Sequence, residues 1–225
     1  MNEVVITSDD SPSVYSSQFD ALYHSKHGAI QESEHVFINS GLDHFVNSSD
    51  YNERGIQTVK ILEIGFGTGL NAVLTDDYAL KKGISIEYTG LEGYPLSPDT
   101  LKEFDNNLGL KESHFQLIHK IPWGTNSAIS DFMMLKKVQV LFEQFQTDET
   151  FDIIYFDAFA PNTQPDLWEI DMMKKMYEAS HIGSILVTYC AKGQVRRNMQ
   201  SVGFDVERIP GPPGKRQMLR AIRKI

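Results

Sequence analysis

Residues 59–71 read VKILEIGFGTGLN. The run 59–64 is apolar apart from Lys60 and its one acid, Glu63, which fits a short buried strand. Gly65, Gly67 and Gly69 follow on alternate positions, and Leu70, Asn71 and Ala72 open a helical pattern. The stretch is therefore a strand, a tight turn and a helix start. Glycines accept positive φ and let a ligand approach the backbone closely. The helix start beside them offers free N–H groups. Dinucleotide-binding turns need G-x-G-x-x-G. Here the register is E-x-G-x-G-x-G, and Leu70 stands where that pattern needs its third glycine.

Outward from this turn the chain alternates strand and helix. Strands are expected at 59–64, 84–91, 151–156 and 184–189, and helices at 69–81, 98–108, 165–180 and 193–201. Ser97 is a suitable N-cap before Pro98 at the first helical position. Residues 115–118 read as a short strand, and 131–145 as part strand and part helix. Met172, Met173 and Met176 read as core. Two strands, 205–209 and 217–222, are joined by PGPPGKR. The pattern predicts an α/β fold: a mostly parallel, Rossmann-like sheet with helices on both faces and a C-terminal antiparallel hairpin. Toward the N-terminus, residues 1–12 read as a loose lead-in. The stretch 13–39 is aromatic and polar, with EHVFIN as a strand-like run, and 41–57 reads as a helix end and a loop. An N-terminal extension over 1–57, packed on a core domain over 58–225, is the expected division.

The 225 residues suffice for one good core. No apolar run approaches the ~20 residues that span a bilayer, and MNEVVITSDD lacks a leader pattern. The single cysteine, Cys190, allows neither an intrachain disulfide nor a cysteine metal cluster, and reads as a small buried hydrophobe. His24, His27 and His35 match no ligand spacing, so no metal is expected. These features point to a cytoplasmic protein with no membrane partner, expected as a monomer. The net charge of −9 is unevenly spread. Residues 191–225 hold nine Lys or Arg against two acids, and the rest hold twelve against twenty-eight. Such asymmetry suits a polyanion-binding face. A solvated basic helix and hairpin would give the same count, so charge alone does not decide.

In an open parallel sheet, ligands sit beyond the carboxyl ends of the strands. Glu63, Glu92 and Asp157 fall at such ends. Glu92, closing the second strand, can accept hydrogen bonds from both ribose hydroxyls of a nucleoside. With E-x-G-x-G-x-G upstream, the spacing resembles motif I of the S-adenosylmethionine (SAM)-dependent methyltransferases. Gly65, Gly67, Gly69 and Glu92 are the expected cofactor contacts, with Glu63 orienting the turn or approaching the methionyl part. Asp157 lies in DAFAP, whose position parallels the [DN]-P-P-[YFW] motif of amine-methylating enzymes. An ammonium has no lone pair with which to attack. A carboxylate beside it can orient the nitrogen and take the proton. Phe159 and Pro161 would give a flat apolar wall for a base.

Longer stretches carry a closer likeness. DAFAP, PDLW (165–168), TYCAKGQVRRNMQSVGF (188–204), PGPPGKRQMLRA (210–221) and GAIQESEHVFI (28–38) together resemble the methyltransferase of tRNA 5-methylaminomethyl-2-thiouridine biosynthesis. The resemblance implies methylation of the 5-aminomethyl group of a wobble uridine, with tRNA bound through its anticodon region. It places Asp157 at the amine, and Gln31 and Glu32 near cofactor or base. It places Lys192, Arg196, Arg197, Lys215 and Arg216 at phosphates or in structural ion pairs. Adjacent helix positions point ~100° apart, so only one of Arg196 and Arg197 can face RNA squarely. Bifunctional members fuse this domain to a flavin-dependent oxidase. This sequence has no second dinucleotide turn, so the stand-alone form is expected. One departure stands out: the region around MMLKK offers no clear acid to hold adenine, Asp131 is misplaced or differently used, and the adenine contact is unassigned. A small-molecule amine methyltransferase or an aminopropyltransferase on the same fold, or a non-catalytic binding module, would share the core pattern.

Overall fold

The computed structural model describes residues 2–110 and 114–224. Strands β1 (Glu3–Ile6), β2 (Pro12–Ser16) and β3 (Ala21–Leu22) form a small antiparallel sheet. Helix α1 (Ala29–Ser33) runs into a π-type segment, Glu34–Asp43, and then into α2 (His44–Val46) and α3 (Ser49–Arg54). The remaining elements are β4 (Thr58–Ile64), α4 (Leu70–Lys82), β5 (Ser85–Glu92), α5 (Pro98–Leu108), α6 (Phe115–Lys120), β6 (Asn126–Ala128) and β7 (Met133–Gln139). After them come β8 (Phe151–Phe156), α7 (Ile170–Glu178), β9 (Ser180–Thr188), α8 (Gly193–Ser201), β10 (Phe204–Pro210) and β11 (Gln217–Arg223).

The main sheet has eight strands in the order β10-β11-β9-β8-β4-β5-β7-β6. The five central strands are parallel, and the β10–β11 hairpin joins antiparallel to β9. This is the architecture expected from the sequence, with β6 as an additional antiparallel edge. Strand order reverses between β4 and β8, so the crevice beyond their carboxyl ends is the place where such sheets bind ligands. Alternate residues feed two cores. Ile61, Tyr88, Tyr155 and Val187 pack toward α4 and the N-terminal helices. Leu62, Ile154, Phe156 and Leu186 pack toward α7 and α8 with Trp168, Met172, Met173, Met176 and Cys190.

Five local expectations are corrected. Residues 34–43 are helical and not a strand. VFI occupies neighbouring positions on a wide buried face that continues at Gly41, Leu42 and Phe45, and a short apolar run cannot by itself be told from a strand. At Gly41 the helix lies so close to the sheet that a Cβ would meet Val187 at 3.1 Å. The lead-in is not loose, since β1 pairs with β2 from Glu3↔Tyr15 to Ile6↔Pro12. Residues 49–54 form α3 where a loop was expected, with the Ser48 side chain capping Tyr51 N and Gly55 in the left-handed region behind it. Residues 115–118 belong to a helix that buries Phe115 and Ile118, three positions apart. Residues 165–168 are a short 3₁₀ turn before α7. Among the described residues, no helix is long and apolar enough to cross a membrane.

Candidate active site

A cavity of about 290 Å³ opens beyond the carboxyl ends of β4, β5, β8 and β9. Of the glycine turn, Gly65 lines it, while Gly67 lies under the Tyr23 ring and Gly69 against His119 and Phe66. Gly65, Gly67 and Gly69 have φ of 93°, 52° and 73°, all in the region glycine favours. Protein atoms also exclude side chains here. A Cβ on Gly65 would lie 2.5 Å from the Asp157 carbonyl oxygen, and one on Gly67 would lie 2.8 Å from the Tyr23 ring. The turn is tied to its neighbours, since Phe66 N donates to Leu91 O at 2.8 Å and Asp157 N to Ile64 O at 2.9 Å.

Glu92 closes β5 and lines the cavity. Its carboxylate accepts 2.8 Å bonds from Gly67 N and Tyr94 N. Burial raises its pKa, and these backbone donors oppose the rise. Asp157, just past β8, lines the same cavity. Its Oδ2 accepts a 2.9 Å bond from Asn71 Nδ2, which also donates to Glu63 Oε1 at 2.8 Å. Burial and the nearby Glu32 hold the Asp157 pKa well above the usual carboxylate range; Asn71 and Lys215 pull the other way. Glu63 is fully buried under the turn and does not line the cavity. Burial drives its pKa well up, and hydrogen bonds from Asn71 and Tyr88 oppose the rise.

The N-terminal segment supplies the opposite wall. Phe19 and Tyr23 pack on Phe159 with ring centroids 4.8 and 4.9 Å away, so Phe159 does form an aromatic wall. His24 is held neutral by burial, with a pKa lowered to about 4, and its ring nitrogens meet Ser13 and Thr68 hydroxyls at 3.3 Å. Glu32 lines the cavity too: one oxygen accepts from Ser25 N at 2.8 Å and the other pairs with Lys215 Nζ at 2.5 Å. Gln31, its neighbour, is exposed and outside the cavity, with its backbone N–H on Asp9.

The basic residues do not form one face. Lys215 points into the cavity and not outward. Arg196 is half-buried with an unpartnered Nε, whereas Arg197 is exposed and bonded to Gln194. Arg197 is thus the outward member of the pair. Lys192 is exposed and bonds Asn162, and Arg216 is exposed. Arg220 and Lys224 are spent on Glu207 and Asp205, and Arg223 on the carbonyls of Tyr177 and Ser180. Arg208, which sequence reasoning passed over, joins Arg197: both guanidinium groups lie within 4.0 Å of where a Gly193 Cβ would stand. Asn71, Tyr23 and Tyr189 were also missed. For Asn71 the available signal was a polar residue in the first turn of a buried helix. Asp131 precedes β7, at the opposite end of that strand from the cavity. Phe142 and Tyr94 line the cavity near the carboxyl ends of β7 and β5.

Residues 126–224, which include Asp157 and Lys215, match the family described as S-adenosyl-L-methionine-dependent methyltransferase. The chain is 28% identical over 176 residues to the tRNA 5-methylaminomethyl-2-thiouridine biosynthesis bifunctional protein MnmC of Paracidovorax citrulli, covering 72% of this chain and 27% of that protein. It is 30% identical over 176 residues to the protein of the same name from Pseudomonas fluorescens, covering 70% and 26%. The chain thus spans about a quarter of the length of the curated relatives it matches. The crystal structure of MnmC2 from Aquifex aeolicus shares the fold, with a TM-score of 0.75 at 21% identity over 100% of this chain and 71% of that one. The match to the SAM-dependent methyltransferases thus covers residues 126–224, and the chain is similar to MnmC proteins over about 70% of its length.

Proposed function

We propose that this chain methylates the primary amine of wobble 5-aminomethyluridine, with or without a 2-thio group, in tRNA, giving the 5-methylaminomethyl nucleoside. The carrying observation is the placement of Asp157. It stands beside the glycine turn, bonded to Asn71, in a cavity with an aromatic wall. The names of the curated relatives supply the substrate.

The residues fit SAM. Gly65 lines the cavity without a side chain, and Glu92 offers a carboxylate at the β5 end for the ribose hydroxyls. Tyr94, Phe142 and the exposed Leu141 offer apolar surface for adenine beyond β7. When bound, SAM supplies an electrophilic methyl group on a positively charged sulfur. Asp157 accepts a hydrogen bond from the incoming ammonium, orients the nitrogen and takes its proton, and its raised pKa suits that last task. Asn71 holds the carboxylate in place. Phe19, Tyr23 and Phe159 flank the base and exclude water. The extension over 1–57 thereby serves as one wall of the site. Arg197, Arg208, Lys192 and Arg216 meet phosphates of the anticodon region. In this reading the chain works as a cytoplasmic monomer.

Nucleoside mass analysis of tRNA carrying 5-aminomethyluridine, before and after incubation with the protein and SAM, tests the reading. The aminomethyl nucleoside should be replaced by one a single methylene heavier. Transfer only to small amines would overturn it.

A further inference from the structure

Lys215 sits near the tip of the β10–β11 hairpin, yet its ammonium lies inside the cavity. Its Nζ is 2.5 Å from Glu32 Oε1, a residue 183 positions away, and 4.0 Å from the centre of the Tyr189 ring. Tyr189 is anchored by its hydroxyl, which donates to Ala158 O at 2.8 Å, next to Asp157. The hairpin tip is seated on the N-terminal segment: the His27 ring packs against Gly214 with no room for a Cβ, and His35 Nε2 lies 2.9 Å from Pro210 O. That seating carries Lys215 inward.

An aromatic face between two carboxylates is a general receptor for a primary ammonium. Three carboxylates, Glu32, Glu92 and Asp157, line the cavity, and Lys215 is the sole Lys or Arg among its lining residues. We propose that Glu32, Tyr189 and Asp157 form an ammonium subsite which Lys215 fills from within, and that the substrate's aminomethyl ammonium binds by displacing it. This deepens the reading above and rests on its amine substrate. A cluster of buried carboxylates without a counter-charge is costly. Lys215 supplies that charge until a substrate cation replaces it. The lysine side chain is long and flexible, and at 33% exposure it has a path to solvent. The exchange is charge for charge, so a neutral 5-hydroxymethyl analogue cannot drive it. The subsite thereby selects the ammonium before chemistry begins.

The test uses the full chain and benzylammonium, with benzyl alcohol as its neutral isostere, titrated by NMR. Wild type should prefer the ammonium. Lys215→Met removes the internal competitor, and a site blocked most of the time gains apparent affinity in proportion to the blocked fraction, about tenfold for a site blocked nine-tenths of the time. Glu32→Gln should shrink the preference for ammonium over alcohol. Lys215→Gln repeats the first arm should the Met variant fold poorly. Unchanged or weaker ammonium binding in both Lys215 variants, an undiminished preference in Glu32→Gln, or no binding at all would overturn the subsite. No tRNA and no transfer enter this titration. A failure to methylate tRNA therefore counts against the proposed function, and a failed titration counts against the subsite.

Discussion

Glu92 holds Gly67 by a 2.8 Å hydrogen bond from the backbone N–H of the turn to Oε2. The acid expected to receive the ribose therefore also fixes the loop over which the cofactor lies. Glu92→Ala should lose about 1–3 kcal/mol of SAM affinity through charge-assisted bonds, and should loosen the turn besides. Calorimetry on the variant reads the first effect, and amide exchange at Gly67 reads the second. Unaltered SAM affinity would remove Glu92 from the cofactor site.

Asp157→Ala should keep the fold and SAM binding but lose roughly 10²–10⁴-fold in single-turnover transfer, the usual worth of a positioned acid–base group. Asp157→Asn separates orientation from proton acceptance, because the amide can still accept a hydrogen bond but cannot take the proton. Asn71→Ala leaves Asp157 in place without its 2.9 Å tether. That variant should lower the rate at saturating SAM and shift its pH profile. Near-normal rates in Asp157→Ala would take the residue out of the mechanism.

Glu63 makes a stability prediction with a definite sign. Its folded pKa is raised by burial, so the folded state holds a proton that the unfolded chain releases above about pH 4.3. Stability therefore falls as pH rises from that value toward the shifted one. Glu63→Gln keeps the bond to Asn71 through its amide oxygen and has no proton to lose. Urea unfolding at about pH 5 and about pH 8 should show the variant gaining on wild type at the higher pH. Parallel curves would mean that Glu63 titrates normally.

Much of this was open to reading because of how parallel sheets bury their strands. β4 and β8, covered on both faces, read as nearly unbroken apolar runs. Their ends then point directly to Gly65 and Asp157, as the end of β5 does to Glu92. The N-terminal third was harder. Val36, Phe37 and Ile38 look like a strand until the close approach of Gly41 to Val187 reveals a helix lying on the sheet. Lys215 was harder still. Its loop looked like an exposed basic tip, and only the seating of Gly214 against His27 turns the side chain inward. Contacts between residues so far apart in sequence leave no local pattern.

The same seating changes what the basic tail can do for RNA. Nine Lys or Arg lie in residues 191–225, but Lys215, Arg220 and Lys224 are ion-paired and Arg223 is bound to carbonyls. The free charge gathers where α8 begins, at Arg197 and Arg208 beside Gly193, with Lys192 adjacent. Bare backbone at Gly193 between two guanidinium groups suits a phosphate. Each phosphate contact contributes about 0.7–0.9 to the slope of log affinity against log salt. Arg197→Gln with Arg208→Gln should therefore flatten that slope by about 1.5 for whole tRNA. It should raise KM for tRNA far more than KM for the free aminomethyl nucleoside. The paired Arg220, neutralised together with Glu207, should leave the slope nearly as it was. Equal slopes in wild type and the Arg197/Arg208 variant would mean that this face is solvated surface, and that RNA, if bound, lies elsewhere.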